Sequence, residues 1–318
     1  MYLEFNLRLL FCLLFISTDC YVAIDLDTII PNFIASAIRR KRRVYDAHEL
    51  FTELKEVISR PLTHRIWQMI EQVFVPKYSQ GYTVNDFIAG YFKEKYGVQY
   101  DIVRNLPFLS TLPHIPNASD RFIIYQGAVN EGRSFETLIP AMKLVNARLV
   151  VCGDGNYFKQ VEQFIVTEGV QDKVVLMGMV PPEELKNITP RATAAVMLFE
   201  CYGLNQYQSL SNRFFDYIMA GVPQVCVDYP QYKILNDIYR VATLISDTQP
   251  ETIAGALNNL LSNTVYYNTL QRNCFTAREE LNWQNEEKIL LHFYERLFET
   301  RLPPKTWFVK RQDGSQNS

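Results

Sequence analysis

Six short apolar runs, at 122–125, 148–152, 174–177, 194–199, 224–227 and 242–245, alternate with helix-patterned stretches near 135–145, 156–168, 182–188, 212–220, 231–239 and 250–262. This alternation constrains the fold more than any other feature. Short strands apolar on both sides, each followed by a helix, specify a parallel sheet covered on both faces. A similar series precedes it, with strands expected at 20–26, 42–46, 80–84 and 100–104 and helices near 29–38, 62–75 and 86–96. Between them lie Pro107, Pro113 and Pro116 with little periodicity, the pattern of a linker, which is placed at 113–120. The expected organisation is α/β: a first unit over 1–112, a second over 121–280, helix through 264–300 and a disordered tail over 301–318. Two such units make a cleft, and ligands in this architecture sit at the carboxyl ends of strands.

Composition narrows the function. With 48% hydrophobic residues and 32 basic against 34 acidic residues, the chain is neither disordered nor collagen-like, and it has no whole-chain field for nucleic acid. Its six cysteines (12, 20, 152, 201, 226, 274) form no C-x-x-C pair and read as reduced residues of a cytosolic protein. The four histidines are too dispersed for a metal cluster. The apolar run at 9–16 is too short to span a bilayer and lacks the flanks of a signal peptide, so a buried internal helix is expected. The basic run Arg39 to Arg43 suits a helix C-terminus, with an anionic lipid surface as the sharper alternative. The mixture of bases and aromatics from Lys305 to Arg311 could also touch a membrane. Asp25-Leu26-Asp27 has the form of a metal-holding D-x-D, but acids there more simply cap the next helix.

The glycines locate the chemistry. None precedes Gly81, and eight of the 13 fall between 127 and 221. Gly127 follows the strand at 122–125, and the loop runs through Gly132 and Arg133 into a helix; Cys152-Gly153-Asp154-Gly155 repeats the arrangement one unit later. A strand, a glycine loop and a helix N-terminus together favour an anion, and a guanidinium adds to that preference. In Ser209 to Pro223, Ser211 or Asn212 can cap a helix pointing into the cleft, Arg213 adds positive charge, and Asp216 follows one turn later as a carboxylate for a ribose diol.

Here the chain resembles the retaining GT-B glycosyltransferases, the group 1 or family 4-like enzymes that include sucrose synthase and bacterial mannosyltransferases. The likeness covers most of the chain and is strongest over 122–298. In that group a G-R-x-x-x-x-K-G pattern holds the donor diphosphate. Gly127 matches its first glycine and Arg133 its lysine, while Ala128 stands at the arginine and Ser134 at the last glycine. Gly153 and Gly155 match the following G-x-G, and Gly178-Met179-Val180 resembles the loop beside the base. Gln208 and Asp216 correspond to a pair of glutamates eight positions apart.

The resemblance implies a nucleotide-diphospho-sugar donor bound by Gly127, Arg133, Gly153, Gly155, Met179, Gln208, Ser211, Asn212, Arg213 and Asp216. It places His48 against the transferring sugar, with Glu49 a weaker candidate, and needs no metal and no other cofactor. It also implies that the last helix, 281–300, crosses back onto the first unit. The acceptor would be a saccharide or lipid-linked hydroxyl in cell-surface polysaccharide or glycolipid synthesis, and the protein cytoplasmic, with peripheral contact at an anionic membrane. Full members of the group begin with a strand and glycine-rich loop absent here, so a GT-B-like fold with an N-terminally truncated, incomplete first domain is expected. With Ala128 and Gln208, that leaves a second hypothesis: a remnant or regulatory module that binds nucleotide-sugar without turnover. Hydride transfer is a distant third, because Gly153-Asp154-Gly155 lacks the next glycine of the dinucleotide fingerprint.

Overall fold

The computed structural model describes residues 2–111 and 121–299; the expected linker at 113–120 and the tail at 301–318, with its bases and aromatics, lie outside the described residues. There are two parallel α/β units. The first sheet runs β1 (Cys20–Ile24), β2 (Arg42–Ala47), β3 (Gly81–Thr83) and β4 (Asp101–Ile102), paired in chain order. The second contains β5 (Phe122–Gln126), β6 (Arg148–Cys152), β7 (Val174–Gly178), β8 (Ala194–Met197), β9 (Gln224–Val227) and β10 (Ala242–Ile245) in the order β10-β9-β8-β5-β6-β7. Strand order reverses between β5 and β8, and the crevice beyond that switch point is where doubly wound sheets bind ligands.

Burial explains the order. Every residue of β8 and β9 is buried, as central strands covered on both faces require. Their core is continuous with the Asn212–Ala220 helix, which buries Phe214, Phe215, Tyr217 and Ile218 and ends at Gly221 in the left-handed region. A separate core under the first sheet gathers Tyr45, Tyr78, Phe92 and Tyr100 around Ile29 and Leu50.

Several expectations change. The run at 9–16 belongs to a helix, Tyr2–Phe15, but none of its residues is buried. It packs mainly on the Ile29–Arg39 helix, leaving Leu3, Leu7, Phe11 and Phe15 outward. The helical stretch at 264–300 is two helices, Thr264–Glu280 and Trp283–Glu299, broken where the Asn282 side chain bonds back to the carbonyls of Arg278 and Glu279. In the second helix, Phe293 and Leu297 share an apolar cluster with Val44, Tyr82 and Val103 of the first unit. Asp25 stands at the cap position of the short Leu26–Thr28 turn, but its side chain makes no cap bond: the residue sits at φ +53° and its carboxylate accepts the His48 backbone N–H at 2.9 Å. The basic run is largely engaged within the fold. Arg39 bonds the Leu14 carbonyl, Lys41 pairs with Asp19, Arg42 bonds the Leu297 carbonyl, and Arg43 lies 4.5 Å over the Phe33 ring.

Candidate functional site

The loops after β5 and β6 are bound backbone to backbone. The Gly127 N–H donates to the Cys152 carbonyl at 2.9 Å and the Gly153 N–H to the Gly178 carbonyl at 2.8 Å. A Cβ on Gly153 would stand 1.8 Å from the Gly127 carbonyl oxygen, and one on Gly155 would stand 2.3 Å from that of Val129. Side chains are excluded there because the two strand ends touch.

Over this floor lie two guanidiniums. The Arg213 side chain crosses Gly127, whose Cβ would meet its Cδ at 3.0 Å, and its charged end lies 4.6 Å from the Tyr125 ring and 5.0 Å from Phe199. The residue is buried, and both its terminal nitrogens are without a hydrogen-bond partner. Arg133 stacks on the same Phe199 ring at 4.5 Å, and burial and then the Arg213 charge depress its pKa. Two like charges held on one aromatic ring in low dielectric, with the terminal nitrogens of Arg213 unpaired, are an arrangement that attracts an anion.

Asp216 faces another way. It accepts from the Gln126 amide at 3.0 Å, and Gln126 in turn accepts from the Thr189 hydroxyl at 2.7 Å. Burial pushes the Asp216 carboxyl up to about 6, against the opposing pull of Gln126 and Arg213. It lines a cavity of about 570 Å³ with Gln126, Pro182, Lys186, Thr189 and Met219.

On the first unit, His48 follows β2 with its Nε2 3.1 Å from Asp46 Oδ1, and that hydrogen bond raises its pKa. It shares a cavity of about 200 Å³ with Asn212 and Phe215 of the second unit. Glu49, next in the chain, is pushed to about 7, first by burial and then by Asp25. It lines a larger cleft, about 870 Å³, that also takes in Arg133 and Ser211. Across this cleft the Leu50 N–H donates to Asn205 Oδ1 at 2.9 Å, and Lys55 pairs with Glu131 at 3.0 Å.

The predicted residues thus fall into neighbouring groups. Gly127 lies under Arg213, which shares the Phe199 ring with Arg133, and Gly153 and Gly155 press on the loop that carries Gly127; His48 and Asn212 share the small cavity; Asp216 lines another. Ser211 occupies the cap position of the Asn212–Ala220 helix, yet its hydroxyl makes no cap bond, and its N–H donates to the Tyr232 hydroxyl at 3.0 Å. Gln208 is buried, its amide oxygen accepting from Gln231 at 3.1 Å and its carbonyl from Asn85 at 3.0 Å. Met179 is 76% exposed beyond edge strand β7, away from these cavities. Sequence reasoning missed Tyr125 and Phe199, the rings that carry the guanidiniums, and Asp46, which orients His48. Asp46 had a signal, since i and i+2 project on one side of an extended segment.

Residues 113–277 match the sequence family described as glycosyl transferases group 1. The uncharacterized glycosyltransferase MJ1607 of Methanocaldococcus jannaschii is 23% identical over 189 residues, 55% of this chain and 45% of that protein. The chain therefore aligns with less than half the length of this curated relative. Sucrose-phosphate synthase of Thermosynechococcus elongatus superposes with a TM-score of 0.74 at 15% identity, covering 88% of this chain and 74% of that one. Anabaena HepE, solved with UDP, gives a TM-score of 0.74 at 14% identity, covering 93% and 82%. Both share the two-unit GT-B fold.

Proposed function

The chain belongs to the glycosyl transferases group 1 family, and on that premise we propose that it binds a nucleotide-diphospho-sugar and transfers the sugar, with retention, to an acceptor hydroxyl. The observation that carries this reading is the buried Arg213 guanidinium with both terminal nitrogens unpaired beside Arg133. A diphosphate supplies the missing acceptors and screens the repulsion between the two cations. That HepE has been solved with UDP-glucose makes uridine the first donor to try.

In this mechanism the acceptor oxygen bonds the anomeric carbon on the face from which the diphosphate leaves. The bond between that carbon and the phosphate oxygen breaks, and the hydroxyl proton passes to the departing phosphate. Negative charge grows on the diphosphate between Arg133 and Arg213, whose fixed positions stabilise it without reorganisation. No metal is needed for that task. His48, held by Asp46, faces the transferring sugar; Asp216 takes the ribose diol. The acceptor is a saccharide or lipid-linked hydroxyl in cell-surface polysaccharide or glycolipid synthesis, and the protein works in the cytoplasm against an anionic membrane.

A second reading, donor binding without turnover, is favoured by two observations: Ala128 leaves a cation out of the loop, and Gln208 is neutral with its amide oxygen committed to Gln231. Calorimetric titration with UDP, GDP and ADP, followed by assay of sugar release from the matching donors, separates the two. Arg213→Met should weaken nucleoside diphosphate binding by roughly 10- to 100-fold, as loss of a charged hydrogen-bonding group does. Failure of all three diphosphates to bind overturns both readings; binding without release or transfer selects the second.

A further inference from the structure

Gln126 is the last residue of β5, directly before Gly127, and it is buried. Its backbone N–H donates to the Tyr217 hydroxyl at 3.0 Å, its side-chain Nε2 donates to Asp216 Oδ2 at 3.0 Å, and its Oε1 accepts from the buried Thr189 hydroxyl at 2.7 Å. A buried amide is costly unless both of its ends are bonded, and here both are. The direction of the chain of bonds follows. An ionised carboxylate only accepts, so the amide turns its NH2 end to Asp216, and the Thr189 hydroxyl, donating to the other end, keeps it from flipping. One carboxylate oxygen is thereby fixed, while Oδ1 receives no hydrogen bond from the described residues.

The place of this carboxylate supplies the second argument. Two successive residues of one strand end meet one turn of one helix: Gln126 bonds Asp216, and Gly127 lies under Arg213. Residues three apart on a helix are surface neighbours, so a phosphate at Arg213 brings the sugar attached to it beside Asp216. Besides Arg213 on its own helix, the charged groups that line the 570 Å³ cavity with Asp216 are Glu183 and Lys186, of opposite sign, from the Pro182–Ile188 helix. β5, residues 107–111 and the Thr189–Arg191 turn add no charge to that lining.

We propose that Gln126, backed by Thr189, is the positioning residue of a ribose subsite: it holds Asp216 ionised, with Oδ1 left for the 2′,3′-diol of a nucleoside diphosphate. This rests on the donor reading above and adds to it the residue that makes the carboxylate fit for a diol.

The test is calorimetric titration of the full chain with UDP, GDP and ADP, and with the 2′,3′-dideoxy form of whichever binds, across the pH range around 6. Wild type should favour the diol by roughly tenfold or more above that pH, and the preference should fade as pH drops through about 6 and Asp216 takes up its proton. Gln126→Ala should lower affinity for the diol-bearing nucleotide about tenfold near neutral pH and leave the dideoxy form unchanged. It should also move the midpoint of the pH dependence upward, because a donor that favours the charged carboxylate is gone. Thr189→Val removes only the hydroxyl that fixes the amide, so it should give a smaller loss of the same kind, roughly threefold, and it carries the test if Gln126→Ala does not fold. The proposal is overturned if the variants bind as wild type does, or if they lose affinity for the diol and dideoxy forms alike, since that is a merely structural role. Equal binding of the two forms by wild type removes the subsite and leaves the donor reading standing. Failure of every diphosphate to bind wild type removes both.

Discussion

Ser134 occupies the left-handed region at φ +57°, is buried, and has a hydroxyl without a partner. It stands where the resembling pattern has glycine, so the chain keeps a backbone that favours glycine and bears the strain of a Cβ. Ser134→Gly should raise stability by about 1 kcal/mol, net of the greater freedom of glycine in the unfolded chain. A denaturant midpoint that stays put or falls would contradict this. Asp216 makes the complementary case, since its cost is electrostatic. Its folded pKa, about 6, lies above the ordinary 3.8, so the folded protein holds the proton more tightly than the unfolded chain. Stability on this account is gained as pH falls through about 6 and is absent above it. Asp216→Asn should therefore stabilise the protein on the order of 2 kcal/mol near neutral pH, with the advantage fading toward pH 4. The same substitution should weaken nucleotide binding. Melting curves across that pH range decide the matter, and a variant no more stable than wild type at pH 8 would show that Asp216 is not strained by burial.

At the scale of elements, contact between the loops after β5 and β6 sets the site. Gly153→Ala would drive a methyl group into the Gly127 carbonyl oxygen, so the strand ends must separate, at a cost on the order of 3 kcal/mol. Gly169→Ala is the control: it has φ +68° but open space around it, so only the conformational cost of about 1 kcal/mol remains. Equal losses in the two variants would mean that the loops do not rely on their close approach. This pair of loops was legible in the sequence because strand, glycine and helix follow one another locally, and the strands themselves begin and end within two residues of the apolar runs. Other features were settled by parts of the chain distant in sequence. Nothing local indicates that Gln208 meets Gln231, that Arg213 lies over Gly127 between two rings, or that the Tyr2–Phe15 helix buries no residue. Apolar periodicity identifies a helix, but the neighbours that cover it are chosen by topology.

For the whole molecule, the decisive element is the Trp283–Glu299 helix, which follows the second unit in the chain but packs on the first. Its buried Glu286 accepts the Arg104 backbone N–H at 2.8 Å and pairs with the Arg104 guanidinium at 3.3 Å. Phe293 stacks edge-on with Tyr82 of β3 at 5.2 Å. One face of the first sheet thus owes its core to residues some two hundred positions or more away, which ties the stability of the first unit to this helix. Phe293→Ala should cost about 3 kcal/mol or more by leaving a cavity among Val44, Tyr82 and Val103. That cost should fall unevenly. Backbone amides of β2 and β3 should exchange with solvent faster by two orders of magnitude or so, as about 3 kcal/mol of lost opening energy implies, while β8 and β9, with their own core, keep their protection. Hydrogen-exchange mass spectrometry on wild type and variant reads this difference. Were exchange to quicken equally in β8 and β9, the two units would be unfolding as one block, and the helix would support the whole protein rather than the first sheet.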